Sequence, residues 1–252
     1  MSVRSPQQRS FSRALHRWLG LFIGGWFALV GFSGSLLVYE DELDAWLNPH
    51  LLADMRAGVW LKPEAIPERI AEAMPLTRVE RIRPPREQGE VYRVQVRVAP
   101  HLRTGSPREE VMLSPVSGEV LGKREAETPG ITRPYWVRTL YEFHRNVLLG
   151  NFGSNIVGLA GFLLMTSALT GFWVARPRNR SGWRRLIGIK LRAGLTRVLF
   201  DIHRSSGAVL FVLLMLATVT GSTLVYVNYA RDVVGLFSDV TPFPTVPWRD
   251  TP

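Results

Sequence analysis

Three uncharged runs dominate this chain: Trp18 to Tyr39, Ile156 to Ala175 and Gly207 to Val227, of 22, 20 and 21 residues. At 1.5 Å per residue each is long enough to cross a hydrocarbon core of about 30 Å, a length that helices of water-soluble domains rarely keep apolar throughout. Three transmembrane helices are therefore expected. The first run is longer than the apolar region of a secretory signal, and no small-residue cleavage pattern precedes the acidic YEDELD, so it reads as a retained signal anchor.

The charges orient these helices. Residues 1–17 carry Arg4, Arg9, Arg13 and Arg17 without an acid, and residues 176–204 carry nine Arg or Lys against Asp201 alone. Residues 40–143 hold 15 basic and 17 acidic side chains. The positive-inside rule then puts 1–15 and the basic loop 176–202 in the cytoplasm, and the block 40–143 and the tail 228–252 outside. The spans are 16–39, 144–175 (an outer-boundary segment followed by the second helix) and 203–227. Trp18, Tyr39, Trp46, Trp173, Tyr226 and Tyr229 suit an interfacial aromatic belt. The net charge of +10 is thus topological, and no recognition motif accompanies it, so a nucleic-acid partner is not expected.

The external block reads as a small α+β domain. Residues 63–74 (PEAIPERIAEAM) place Ile66, Ile70 and Met74 on one helical face. EVYRVQVRV alternates, with Val91, Arg93, Gln95 and Arg97 on one side and Tyr92, Val94, Val96 and Val98 on the other. Ser-Pro-Val-Ser-Gly at 114–118 is a turn between EVML and EVLGKR, which predicts a hairpin. The fold class is all-α membrane helices, N-in/C-out, with this domain inserted after the first helix. No catalytic motif appears in the domain.

With no cysteine, disulfides, thiolate zinc sites, Fe–S clusters, covalent c-type haem and thiol nucleophiles are excluded, and histidine becomes the leading ligand type. Of five histidines, three head the membrane segments. His16-Arg17 and His203-Arg204 open an internal repeat: each histidine precedes a glycine (Gly34, Gly221) by 18 residues and a tyrosine (Tyr39, Tyr226) by 23. His144-Arg145 stands ahead of the second helix and Thr170-Gly171 near its end, with a spacing of 27 and the opposite direction. Two neutral imidazoles from facing helices can supply both axial ligands of a b-type haem. Gly20, Gly24, Gly25, Gly31, Gly34, Gly158, Gly161, Gly171, Gly207, Ala208 and Gly221 allow close approach. Arg17, Arg145 and Arg204 can pair with haem propionates. Each His-Arg pair alone also suits a plain interfacial anchor, and His50 and His101 read as surface residues of the outer domain.

HRWLGLFIGGWFALVGFSGSLLVYEDELDAWLNP, FHRNVLLG, GLAGFLLMTSALTGFWV and FDIHRSSGAVLFVLLMLATVTGSTLVY resemble the helices of the PepSY-associated transmembrane (PepSY-TM) family. VYRVQVRV and EEVMLSPVSGEVLGKR resemble its extracytoplasmic PepSY-like domain. The resemblance implies a multi-pass protein of the bacterial inner membrane with a periplasmic domain, tied to iron uptake. In the best understood members it implies a haem-containing siderophore reductase, which takes electrons from a cytoplasmic or quinol donor and passes them to a ferric siderophore, releasing Fe(II). His16, His144 and His203 match the family's haem-ligand histidines, for one or two haems b. Longer relatives have a fourth helix, without counterpart in this sequence, which leaves His50, a second protomer in a homodimer, or no outer haem opposite His144. Two other readings stand beside it: a membrane-anchored PepSY binding or regulatory module without redox activity, and an iron or siderophore transport subunit. The apolar runs offer the transporter no Asp or Glu for ion coupling.

Overall fold

The computed structural model describes residues 6–98, 108–177 and 179–241; Arg4, His101 and the tail beyond 241 lie outside the described residues. Two compact units emerge, one of residues 28–150 and one of the described residues within 1–27 and 151–252.

The first helix, α1 (Pro6–Leu37), runs for 32 residues. Ser10–Leu37 of it is long and apolar enough to cross a membrane. Phe22, Leu29 and Phe32 lie exposed on its surface, a pattern that suits lipid and would be costly in water.

In the unit 28–150, Tyr39 breaks the chain into α2 (Glu40–Leu47), whose first turn holds Glu40, Asp41 and Glu42, the charge that a helix N-terminus favours. The short α3 (Pro49–Leu52) follows, and a 3-10 turn at Pro63–Ala65 leads into α4 (Ile66–Ala73). Four antiparallel strands then form a meander in sequence order: β1 (Thr77–Arg83), β2 (Tyr92–Val98), β3 (Glu109–Leu113) and β4 (Val120–Glu125). The expected hairpin joins β3 to β4, where Ser114 Oγ accepts from the backbone N–H groups of Val116 and Ser117, and Gly118 supplies a φ of +74°.

The alternation in β2 decides the layers. Tyr92, Val94 and Val96 join Val111 and Leu113 of β3 against Ile66 and Ile70 of α4 in a dry core, each side chain contributing about 1.5–3 kcal/mol by burial. On the opposite face Val91 and Met112 pack with Leu52 of α3. That face also carries Arg93, Glu110 and Arg124, where they meet the buried Asp44 of α2.

The unit closes with α5 (Arg133–Asn146), one continuous helix across residues 143 and 144, where the sequence pattern places a boundary. It stops because Val147 and Leu148 take left-handed conformations, φ 48° and 63°.

In the other unit α6 (Gly150–Ala175) is the second span-length helix. Next come α7 (Arg180–Leu186), α8 (Leu195–Val209), α9 (Phe211–Val225) and α10 (Val227–Gly235). The third apolar run is not one straight helix: α8 and α9 meet at 64° around Leu210. Just before the bend, Ser206 Oγ donates back to the Ile202 carbonyl and Gly207 follows, a combination that bends helices. Alone, α9 spans about 22 Å, less than the bilayer core, so a third crossing needs part of α8. Against α9, α6 presents glycines: a Cβ on Gly161 would lie 2.6 Å from Ser222 Oγ, and one on Gly158 would lie 2.6 Å from the Tyr226 ring. Tyr226 Oη donates to the Asn155 carbonyl at 3.1 Å, and Phe172 stacks on Phe211 with centroids 4.5 Å apart.

Candidate functional site

His16 lies on α1 against the second half of α6. Its Nδ1 is 2.9 Å from the Ser167 carbonyl and 3.3 Å from Ser167 Oγ. A carbonyl can only accept, so Nδ1 carries the proton and Nε2 keeps the lone pair that a metal would use. The ring rests on bare backbone, since a Cβ on Gly171 would be 2.7 Å from Cε1 and 3.1 Å from Nδ1. His203 of α8 is the neighbouring imidazole, its ring centroid 6.0 Å away at an interplanar angle of 43°. The register of the repeat therefore does bring His16 and His203 together.

His144, in the last turn of α5, is held in the same way by α1. Its Nδ1 is 2.9 Å from the Val30 carbonyl and 3.2 Å from Ser33 Oγ, and Ser33 is buried. A Cβ on Gly34 would be 2.6 Å from its Cε1. The Ser-Gly of α1 thus receives one histidine and the α6 segment ending in Thr170-Gly171 receives the other. At the third copy, Thr220 Oγ1 donates to carbonyls of its own helix, and among the described residues a Cβ on Gly221 would meet nothing within 4 Å beyond that helix.

The arginines beside these histidines differ. Arg17 is exposed, its guanidinium 5.6 Å from the Trp18 ring centre. Arg204 donates to the carbonyls of Arg185, Leu186 and Gly188 and pairs with Asp201 at 3.0 Å, so its guanidinium fastens the loop after α7. Arg145 is half-exposed, 3.8 Å from Glu142. His50 is exposed in α3.

In the unit 28–150 a buried ion network joins α2 to the sheet. Arg124 bridges Asp44 and Glu110 at 2.5 and 2.7 Å, and Arg93 bridges the same two carboxylates at 3.2 and 2.9 Å. Burial pushes both carboxyls up, but the guanidinium groups of Arg124 and Arg93 outweigh it and hold both below the ordinary range. Asn48 fastens the arrangement, donating to Asp44 and to the Arg133 carbonyl at the head of α5. Alongside, a cleft of about 370 Å³ is lined by Arg81, Arg108, Arg138, Tyr141 and Arg145, with Glu80 and Glu127 paired to Arg108.

The family described as PepSY-associated TM region matches residues 13–251. The chain belongs to that family. No curated protein matches it. In this PepSY-associated TM protein the histidines at 16, 144 and 203 were legible as candidates, whereas their supports Ser33 and Ser167 were not. Ser33-Gly34 and Thr170-Gly171 mark the two receiving surfaces, although in the sequence they follow His16 and His144 and not the histidines they hold. Across the helices the pairing is different, because an imidazole needs a neighbouring backbone stripped of Cβ. Among the described residues no three His, Asp or Glu side chains are grouped to hold a bare metal ion.

Proposed function

We propose that this PepSY-associated TM protein is a haem b protein of the bacterial inner membrane that transfers electrons across the bilayer and reduces a periplasmic ferric siderophore. The observation that carries this reading is the His16–His203 pair. Their ring centroids lie 6.0 Å apart, and these two imidazoles would hold the iron of a haem b without any thiolate. The Nδ1–H of His16 bound to a carbonyl is also the usual support of a metal-ligating histidine. A bis-imidazole haem supplies reversible one-electron chemistry when bound.

The chain's own residues do the rest. Ser167 and Gly171 fix the ring of His16, and exposed Arg17 is available to a propionate. His16 is half-buried and His203 is exposed on α8. Val30, Ser33 and Gly34 orient His144 in the same tautomer. Arg145, next to it in sequence, lines the cationic cleft with Arg81 and Arg138, which suits an anionic chelate. Each ferric ion takes one electron from a cytoplasmic or quinol donor, and the ferrous product is released because oxygen-rich chelates hold it more weakly.

The test is an absorption spectrum of the full chain, purified after expression with ample haem, followed by ferric-siderophore reduction in vesicles with a ferrous trap outside. A Soret band that shifts on reduction and a trapped ferrous product are expected. A chain without a Soret band would overturn the reading.

A further inference from the structure

The basic segment after α6 has a shape that topology alone does not require. It encloses a cleft of about 620 Å³ lined by Arg184, Arg185, Lys190, Arg197, Asp201 and Arg204, five cations against one carboxylate. The carboxylate is already engaged. Asp201 is fully buried, accepts from the Lys190 backbone N–H at 3.3 Å, and pairs with Arg197 at 3.2 Å and Arg204 at 3.0 Å. Arg204 holds the loop carbonyls of Arg185, Leu186 and Gly188, and Ser205 Oγ donates to the Ile187 carbonyl at 2.9 Å. Asp201, Arg204 and Ser205 therefore form a fixed frame. Arg184 and the Lys190 ammonium have no ion-pair partner among the described residues, and both line the cleft that the frame shapes.

Exposed apolar side chains alternate with these cations: Trp183, Ile187, Ile189 and Leu191. Ala175, the last residue of the membrane-length α6, also lines the cleft, which puts it where the apolar run ends and headgroups begin. A soluble anion would need the cations alone. Cations interleaved with apolar side chains at the end of a span match a ligand with a phosphate at one end and acyl chains at the other.

We infer that this cleft binds the phosphate of an anionic phospholipid, with Arg184 and Lys190 as the cations that meet it. No histidine lines the cleft, although Arg204 follows His203 directly, and phosphate binding there does not depend on a cofactor.

The test uses the full chain in neutral detergent, titrated with dioleoylphosphatidylglycerol, dioleoylphosphatidylcholine or inorganic phosphate and read by native mass spectrometry. The phosphatidylglycerol adduct is expected to form at least about tenfold more tightly than the phosphatidylcholine adduct. The double variant Arg184→Gln/Lys190→Gln should abolish that preference, whereas Arg192→Gln, which removes a charge from the same segment outside the cleft, should keep it. Equal binding of the two lipids overturns the inference, and so does an equal loss in the Arg192 variant, which would mean net charge rather than a site. Inorganic phosphate binding as tightly as phosphatidylglycerol would overturn the lipid assignment.

Discussion

Replacing Gly171 with alanine places a methyl carbon 2.7 Å from Cε1 and 3.1 Å from Nδ1 of His16. Carbon atoms rest about 3.5–4.0 Å apart, so the ring has to withdraw by about 1 Å. Its hydrogen bond to the Ser167 carbonyl, 2.9 Å long, then stretches beyond the hydrogen-bonding range. That loss is worth about 0.5–1.5 kcal/mol, while alanine in place of glycine inside a helix returns about 0.5–1 kcal/mol. Insertion and thermal stability should therefore change little. What changes is the aim of the His16 Nε2, and an orientation penalty near 1.4 kcal/mol weakens haem affinity about tenfold. The assay is a haem titration of the apo-protein followed at the Soret band, with Gly221→Ala as the control, since among the described residues a Cβ there would meet nothing within 4 Å beyond its own helix backbone and chain neighbours. Gly171→Ala should bind more weakly and Gly221→Ala as the parent does. Parent-like affinity in the first variant, or equal weakening in both, would refute the cradle reasoning.

Gly34→Ala should displace His144 in the same way, its methyl lying 2.6 Å from Cε1, and should slow ferric-siderophore reduction while leaving the spectrum of the His16–His203 site intact. Arg124→Met should destabilise the α+β domain by about 3–5 kcal/mol, because Asp44 and Glu110 stay buried with only Arg93 between them; limited proteolysis of that domain reads it. Those two carboxyls titrate below their ordinary range when folded. Their contribution is therefore complete above the unfolded carboxylate pKa of about 4 and is lost as pH falls through the folded values, so the parent domain should become protease-sensitive below about pH 4. Tyr226→Phe removes the bond to the Asn155 carbonyl and should cost about 0.5–1.5 kcal/mol in thermal stability.

The α+β domain was legible because its signals are local. The 3.6-residue pattern of Ile66 and Ile70 and the two-residue pattern of Tyr92, Val94 and Val96 each name a buried face, and they converge on one core. The other face was not legible in the same way: Arg93, Glu110 and Arg124 look like solvent-exposed charge until Asp44, 80 residues before Arg124, is seen beside them. The bend at Leu210 was hidden because Ser206 and Gly207 suit a close helix contact as well as a kink. At the candidate site the repeat named His16 and His203, since equal spacing on parallel runs implies equal depth. It could not name Ser167 or Val30, whose backbone carbonyls do the holding, because any residue supplies a carbonyl.

The central claim is that His16 and His203 ligate one haem between them, and a pyridine-haemochrome count per chain tests it most directly. The parent protein and His203→Ala should be purified side by side from haem-replete cells, with membrane insertion confirmed for both. The account predicts at least one haem b per parent chain and the loss of one in the variant, with the protein still inserted. An unchanged count in His203→Ala, or no haem in the parent, would contradict it.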